Sequence, residues 1–485
     1  MPDPTQIPLL HQLKILAQRS DTPFYAPGHK RGQGITPALQ HLLGTQVFQA
    51  DLPELPELDN LFSPEGVIQQ AQELAAVTFG AEKTWFLTNG STAGIIAAIL
   101  ATCGDGDKII VPRNVHQSVI SGLILSGATA VFISPEYDAT WDLISHVTPE
   151  TIRQALEQHP DTAAVLIVSP TYQGICSDIQ QIAALTHQYK IPLIVDEAHG
   201  SHFGFHPDLP QNALSLGADI AVQSIHKVLG AMTQASMLHI QGQQVDCQRL
   251  NQALSLVQST SPSYLLLASL DAARYQMATQ GKELMERTLH LAQTARIQLQ
   301  DLSLQVLQHS SCSSTGIALD PTRLTVRVSD WGLSGYEVDE ILHQQFQVTA
   351  ELPSLRHLTF IISLGNRPQD IEKLVQGFKG LLQSCSQTTE QIIQFPSFPI
   401  TSRRPVVTVP RSTFFSPSQL RSPIQAIGQL SADCICPYPP GIPLLMPGEP
   451  ITAEALNYLQ HIIALGGKVT GAADPKLKTL RIQST

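Results

Sequence analysis

Two stretches, Ile191-Pro-Leu-Ile-Val-Asp196-Glu-Ala-His199-Gly200 and Asp219-Ile-Ala-Val-Gln-Ser224-Ile-His226-Lys227-Val228, decide the fold of this chain. Each is a short apolar run that ends in ionisable groups: Asp196 and His199 in the first, Ser224, His226 and Lys227 in the second. A continuous apolar run bounded by turn signals suits a parallel strand buried on both faces. In open α/β sheets, ligands bind beyond the carboxyl ends of the strands. The two runs are therefore expected on neighbouring strands, with Asp196 and Lys227 together at their tips.

The flanking sequence repeats the pattern. Helical periodicity over 66–79, 91–103, 115–126, 149–158 and 178–189 alternates with strand-like runs at 84–88, 108–111, 129–134, 163–168 and 192–196. Strands at 218–224 and 235–240 complete the series. Such alternation predicts a mainly parallel, seven-stranded sheet sandwiched by helices, an α/β fold. Beyond it, a long helix near 262–302 leads to strands at 316–328 and 358–364 and helices near 335–346 and 368–383, a small α+β domain. A Ser/Gln/Thr-rich joint near 384–392 opens a Pro-rich C-terminal α+β domain. The expected division is 1–45, an N-terminal helix and loop; 46–305, the large domain; 306–385, the small domain; and 386–485, the C-terminal domain. In the first segment Leu9, Leu13 and Leu16 share one helical face, ahead of the Pro- and Gly-punctuated loop Thr22–Gly32.

Composition narrows the class. The 485 residues allow two or three domains with shared cores. With 29 basic and 40 acidic residues the net charge is −11, and no Lys/Arg block appears. That argues against nucleic acid or an anionic membrane as partner and is compatible with a cationic substrate. The apolar run 94–103 is too short to span a bilayer, and Met1-Pro-Asp-Pro-Thr-Gln lacks a signal peptide's regions. Seven cysteines, an odd number, do not make a disulfide framework. A cytoplasmic location is the expectation.

A carboxylate and an amine held at fixed separation is the requirement of pyridoxal phosphate, whose aldehyde takes a lysine and whose ring nitrogen takes an acid partner. Lys227 and Asp196 are the candidates. A lone lysine among Ser, His and Gly also reads as a solvated surface group, and Asp196 as a helix cap or buried ion-pair member; their conjunction favours the cofactor. Asn89-Gly-Ser91-Thr92 opens a helix after a strand, where backbone N–H groups and hydroxyls favour a phosphate, although Ser and Thr are also ordinary caps. His116 begins the next helix on the same edge and offers a flat ring for stacking. His199, His202 and His206 invite a zinc reading, which intervening glycines oppose. Cys434 and Cys436 read as ordinary thiols.

These motifs resemble the bacterial ornithine/lysine/arginine decarboxylases, pyridoxal-phosphate enzymes of fold type I. The matching stretches are Thr22–Gly32, Leu58-Asp-Asn-Leu with Pro64 and Gly66, Asn89-Gly-Ser-Thr, Pro112-Arg-Asn-Val-His, Pro170-Thr-Tyr-Gln-Gly, Val195-Asp-Glu-Ala-His-Gly, Gln223-Ser-Ile-His-Lys, Thr260–Asp271 and Tyr438–Glu449, in family order. The resemblance implies that Lys227 carries the cofactor, Asp196 partners the pyridine nitrogen and His116 stacks on the ring. Ser91, Thr92, Ser224 and His226 would contact the phosphate, and Thr260 or Ser261 that of a neighbouring subunit. His199 is a cofactor neighbour by its place past the Asp196 tip, and Tyr438–Glu449 a segment closing over the site. The implied reaction is decarboxylation of a basic amino acid, arginine before lysine and ornithine; a distal cation needs a carboxylate, for which Glu449, read equally well as a cap of the turn after Pro447-Gly448, stands ahead of Glu351 and Asp59.

Two departures qualify the resemblance. Larger members begin with a receiver-like wing domain, whereas this sequence starts almost at the loop, so a homodimer or tetramer with interfacial active sites is expected rather than a decamer. Residues after the cofactor aspartate also vary among relatives. The competing readings are an aminotransferase or lyase on the same scaffold, with Arg327, Arg356 or Arg367 clamping a carboxylate, and a non-catalytic regulatory paralogue.

Overall fold

The computed structural model describes residues 3–308, 317–385, 395–399, 406–439 and 441–484. The expected joint near 384–392 lies, from 386 onward, outside the described residues, as do Gly316 and Pro440.

Seven strands of the large region share one sheet: β1 Lys83–Leu87, β2 Lys108–Pro112, β3 Thr129–Ile133, β4 Thr162–Val168, β5 Leu193–Asp196, β6 Ile220–Gln223 and β7 Ser236–Ile240, in the order β1-β7-β6-β5-β4-β2-β3. Pairing is parallel from β3 through β6, and β7 runs antiparallel to both neighbours. All four residues of β5 and of β6 are buried, as unbroken apolar runs require. Each Leu, Ile or Val so buried stabilises the fold by about 1.5–3 kcal/mol. An eighth strand, Val406–Thr408, adds antiparallel to β3. Three residues far along the chain carry no pattern from which that pairing is legible.

Helices cover both faces. Helix Gly90–Thr102 lies so close to the sheet that a Cβ at Gly94 would stand 2.7 Å from Leu87 and Val222 side-chain carbons. Glycine there lets the helix N-terminus sit directly over the strand tips. The N-terminal helix Pro8–Ala17 buries Leu9, Leu13 and Leu16, the three residues its periodicity predicts. A fully buried ion pair anchors it: Asp271 accepts from the Leu9 and Leu10 amides, while Arg274 donates to the Pro4 and Gln6 carbonyls.

The 38-residue helix Tyr264–Asp301 joins two cores. Its first half packs Tyr264, Leu267 and Met277 among residues under the large sheet. Its second half packs Leu291, Ala295 and Leu299 against a four-stranded antiparallel sheet ordered Gln305–Val306, Arg323–Arg327, His357–Ile361, Leu352–Pro353. Helices Gly335–Phe346 and Pro368–Cys385 stand where the spacing predicts them. The first starts at a reciprocal cap between Ser334 and Glu337. Helix Ala453–Ala464 and two short strand pairs form a further core around Leu445, Leu456 and Leu480.

Candidate active site

Lys227 and Asp196 lie at one sheet edge, within electrostatic reach of each other. The register pairs Asp196 with Val222, so the two tips are level, and Lys227 follows on the short helix Ile225–Val228. Burial pushes the Asp196 carboxyl up, opposed by the positive charge of Lys227 and a 3.2 Å hydrogen bond from the Ala198 amide. Burial likewise draws the Lys227 amine down, opposed by the negative charges of Asp196 and Glu351 and helped by Arg323. Each group thus feels the other through low-dielectric surroundings.

Lys227 Nζ lies 3.0 Å from His199 Nε2. An ammonium has no acceptor, so Nε2 accepts and the His199 proton belongs on Nδ1, which is buried without a partner. The His199 ring packs at 4.4 Å between centroids on Tyr172, above whose ring Lys227 Nζ stands at 5.6 Å. Tyr172 comes from the loop after β4 in the Pro170-Thr-Tyr-Gln-Gly motif. Behind it a cavity of about 120 Å³ separates Asn114 and Val168 from Ser354, His357 and Ile442. Three regions of the chain therefore meet at this edge.

The remaining predicted residues converge unequally. Ser224 Oγ donates to Ser91 Oγ at 2.8 Å, closing the first turn of helix Gly90–Thr102 onto the β6 tip; Thr92 is exposed beside it. His226 has its ring drawn down by burial and by Lys227. His116 caps helix Gln117–Ser126 through Nδ1, 3.2 Å from the Ser118 amide, and burial with Lys227 holds its ring neutral, down to about 4. The Gln117 amide donates to the Gly441 carbonyl at 3.2 Å. A Cβ on Gly441, whose φ is +88°, would lie 3.4 Å from His116 Nε2. Thr260 and Ser261 are exposed, on a loop whose Ser259 amide donates to Asn89.

Of the three carboxylates considered for a substrate cation, two are already engaged. Glu449 is buried, pairs with Arg113 at 3.3 Å and accepts from the Met446 amide. Asp59 accepts the Glu65, Gly66, Ile68 and Gln69 amides and so caps helix Val67–Phe79. Glu351 is exposed and within electrostatic reach of Lys227 and Arg323.

The histidine run divides among different partners: His199 meets Lys227, His202 meets Asp320 at 3.0 Å, and His206 stands 3.8 Å from Asp208. Among the described residues no three such side chains gather as a metal-ligand set. Of the candidate arginines, Arg327 pairs with Asp330 and Arg356 with Asp142, and Arg367 is exposed. Arg323 was not predicted, yet it is fully buried, donates from Nη2 to the His199 carbonyl at 2.9 Å, and leaves Nε and Nη1 without hydrogen-bond partners. No sequence signal separates it from the other arginines of that sheet; only the fold aims it at the site.

An amine and a carboxylate in one buried site, a neutral ring beside them and hydroxyls at a helix N-terminus are the donor set that pyridoxal phosphate requires. The chain superposes on fold-type I enzymes such as the alanine–glyoxylate aminotransferase of Nostoc, at 18% identity and a TM-score of 0.54 over 67% of this chain and 89% of that one. It superposes more fully on the lysine decarboxylase LdcF of Francisella novicida, at 22% identity and a TM-score of 0.84 over 99% of this chain and 81% of that one.

Sequence comparison names the family. The major domain of Orn/Lys/Arg decarboxylase matches residues 7–315 and its C-terminal domain residues 422–473. The chain is 37% identical to the arginine decarboxylase of Bacillus subtilis and 36% identical to that of Bacillus anthracis, over 98% of this chain and 98% and 97% of theirs. It belongs to the Orn/Lys/Arg decarboxylase family.

Proposed function

We propose that this protein decarboxylates arginine to agmatine with pyridoxal phosphate as cofactor. The observation that carries the reading is the buried Asp196 at the β5 tip within the field of the half-buried Lys227, which follows the level β6 tip. Arginine is favoured because full-length relatives at 36–37% identity are named arginine decarboxylases, whereas those named lysine decarboxylases stand at 23–25%.

When bound, the cofactor supplies an electron sink for the pair left on the substrate α-carbon as carbon dioxide departs. The protein's own groups do the rest. Burial draws the Lys227 amine down, which favours the neutral form that would bond the cofactor aldehyde. Asp196 would hold a proton on the ring nitrogen, and His116 would lie against the ring. Ser91, Thr92, Ser224 and His226 would take the phosphate at the helix N-terminus. His199, whose ring burial and the charge of Lys227 keep neutral, would accept from the Lys227 amine through Nε2 and orient it. Tyr172 and the Gly441 segment over His116 keep water from the reacting atoms. Glu351 is the carboxylate best placed to meet a distal guanidinium, since Glu449 and Asp59 are already engaged.

We read the working unit as a cytoplasmic homodimer. Helix Pro37–Leu43 buries none of its residues, and Phe24, Leu42 and Leu256 are 92%, 76% and 79% exposed. Apolar surface of that kind supports a partner copy, and the exposed Thr260 loop beside Asn89 would then reach a phosphate across the interface. Incubating the cofactor-loaded protein with arginine, lysine and ornithine separately tests the reading. Agmatine and carbon dioxide from arginine are expected; cadaverine or putrescine as main product overturns the substrate, and a keto acid without carbon dioxide overturns the reaction.

A further inference from the structure

Beneath the cofactor edge, on the sheet face opposite Asp196, four polar side chains cross an otherwise apolar layer. Glu197 Oε1 accepts the Ala213 amide at 2.8 Å, and its Oε2 accepts Gln223 Nε2 at 2.7 Å. Gln223 Oε1 lies 3.2 Å from His239 Nε2, and His239 Nδ1 lies 2.8 Å from Thr84 Oγ1. All four residues are at most 3% exposed, and Phe79 roofs the His239 ring at 5.0 Å. They come from β1, β7 and β6 and from the residue just past β5.

The donor inventory fixes the direction of this chain. Above the value of about 8 to which burial lifts its carboxyl, an ionised Glu197 only accepts, so Gln223 turns its amide nitrogen to it and its oxygen to His239. That oxygen requires a proton on His239 Nε2, which makes Nδ1 an acceptor and Thr84 the donor. Three hydrogen bonds in a row then point toward Glu197 and polarise one another. Their mechanical consequence falls on Gln223, whose next residue, Ser224, bonds Ser91 and opens the helix carrying Lys227.

We propose that Thr84, His239, Gln223 and Glu197 form a relay of positioning residues that fixes the β6 tip and thereby the placement of Ser224 and Lys227 toward the cofactor. The proposal rests on the reading of those two residues as cofactor contacts. None of the four touches the reacting atoms; they act through the strand.

Isosteric substitution separates the relay from its alternatives. In Glu197→Gln every bond survives if the chain reverses: the introduced amide donates to Gln223, Gln223 to His239 Nε2, and His239 Nδ1–H to Thr84. Glu197→Met and His239→Phe each leave Gln223 with an unpaired buried group. Retention of pyridoxal phosphate is measured by dialysis of the loaded full-length protein, alongside thermal melting. Glu197→Gln is expected within about twofold of wild type, and Glu197→Met and His239→Phe about tenfold weaker, the scale of one buried hydrogen bond.

Nitrogen NMR on ¹⁵N-histidine protein, with His239 assigned by its loss in His239→Phe, reads the direction. In alkaline buffer, above the value of about 8 to which burial lifts Glu197, the wild-type proton is expected on Nε2 and the Glu197→Gln proton on Nδ1. If Glu197→Gln loses cofactor as badly as Glu197→Met, the carboxylate charge rather than the relay is at work. If Glu197→Met and His239→Phe melt earlier but hold the cofactor unchanged, the network is merely structural. An unchanged His239 tautomer overturns the directed chain. Borohydride trapping on Lys227 in wild type is a separate check: its failure refutes the site reading, not the relay geometry.

Discussion

The two walls of the site are built differently. One consists of successive tips of a parallel sheet, where Asp196, Ser224, His226 and Lys227 follow directly on apolar runs. The other comes from the small antiparallel sheet, where Arg323 stands at the start of a strand and Glu351 just before another, with no comparable local pattern. Strand tips of a doubly covered sheet are fixed by burial on both faces, so their side chains converge at low freedom. The opposite wall is aimed only by how one body packs on the other, through the shared 38-residue helix. On the proposed function the chemistry belongs to the first wall and substrate recognition to the second, and mutation of each tests that division.

The largest effect belongs to the first wall. Lys227→Ala is expected to lower turnover by about 10⁴-fold or more, because the amine has no substitute; assay of carbon dioxide release checks this, and residual turnover near wild type would place the nucleophile elsewhere. Asp196→Asn should follow with a loss of about 10²–10³-fold in kcat, the scale of removing one electrostatic stabiliser, while cofactor still binds. A change confined to KM would be at odds with the role given to Asp196.

Smaller losses mark the second wall. Arg323→Lys keeps the charge but not the planar fork that meets the His199 carbonyl, so kcat/KM should fall about tenfold; steady-state kinetics unaltered by the exchange would detach Arg323 from the site. Glu351→Gln, at an exposed carboxylate, should raise KM for arginine by a few-fold, less at high salt. A KM indifferent to both substitution and salt would remove Glu351 from recognition.

The least change concerns stability without cofactor. Burial lowers the Lys227 amine from its ordinary 10.5, so between the folded value and 10.5 the unfolded chain binds more protons. Stability therefore rises with pH across that window and the charged amine opposes folding below it. Cofactor-free Lys227→Met should melt a few degrees higher than wild type near neutrality, with the gap closing as pH approaches the ordinary lysine range. A gap that widens with pH would mean that Lys227 is not buried as a cation.

The same contrast explains what is legible in the sequence. β5 and β6 and the interleaved helices are readable because period and composition are local properties; their bounds fall within two or so residues of expectation. The N-terminal helix is readable from three leucines. The eighth strand, the engagement of Glu449 by Arg113 and of Asp59 by a helix N-terminus, and the arrival of Arg323 all depend on distant packing. Arg327 and Arg356 look equally eligible as sequence, and only their ion pairs set them aside. Glu197 carries no signal of its own because it points to the face opposite its neighbour Asp196, a consequence of strand alternation visible once the register is known.

That Asp196 and Lys227 hold opposite ends of one pyridoxal phosphate is open to a decisive experiment. Cofactor-loaded wild type and Asp196→Asn are reduced with borohydride, and their peptides are mapped by mass spectrometry. The reduced pyridoxyl group is expected on Lys227 in both, with the visible absorbance before reduction shifted in Asp196→Asn by loss of the ring-nitrogen partner. A label on another lysine, or an absorbance indifferent to Asp196, would overturn the assignment.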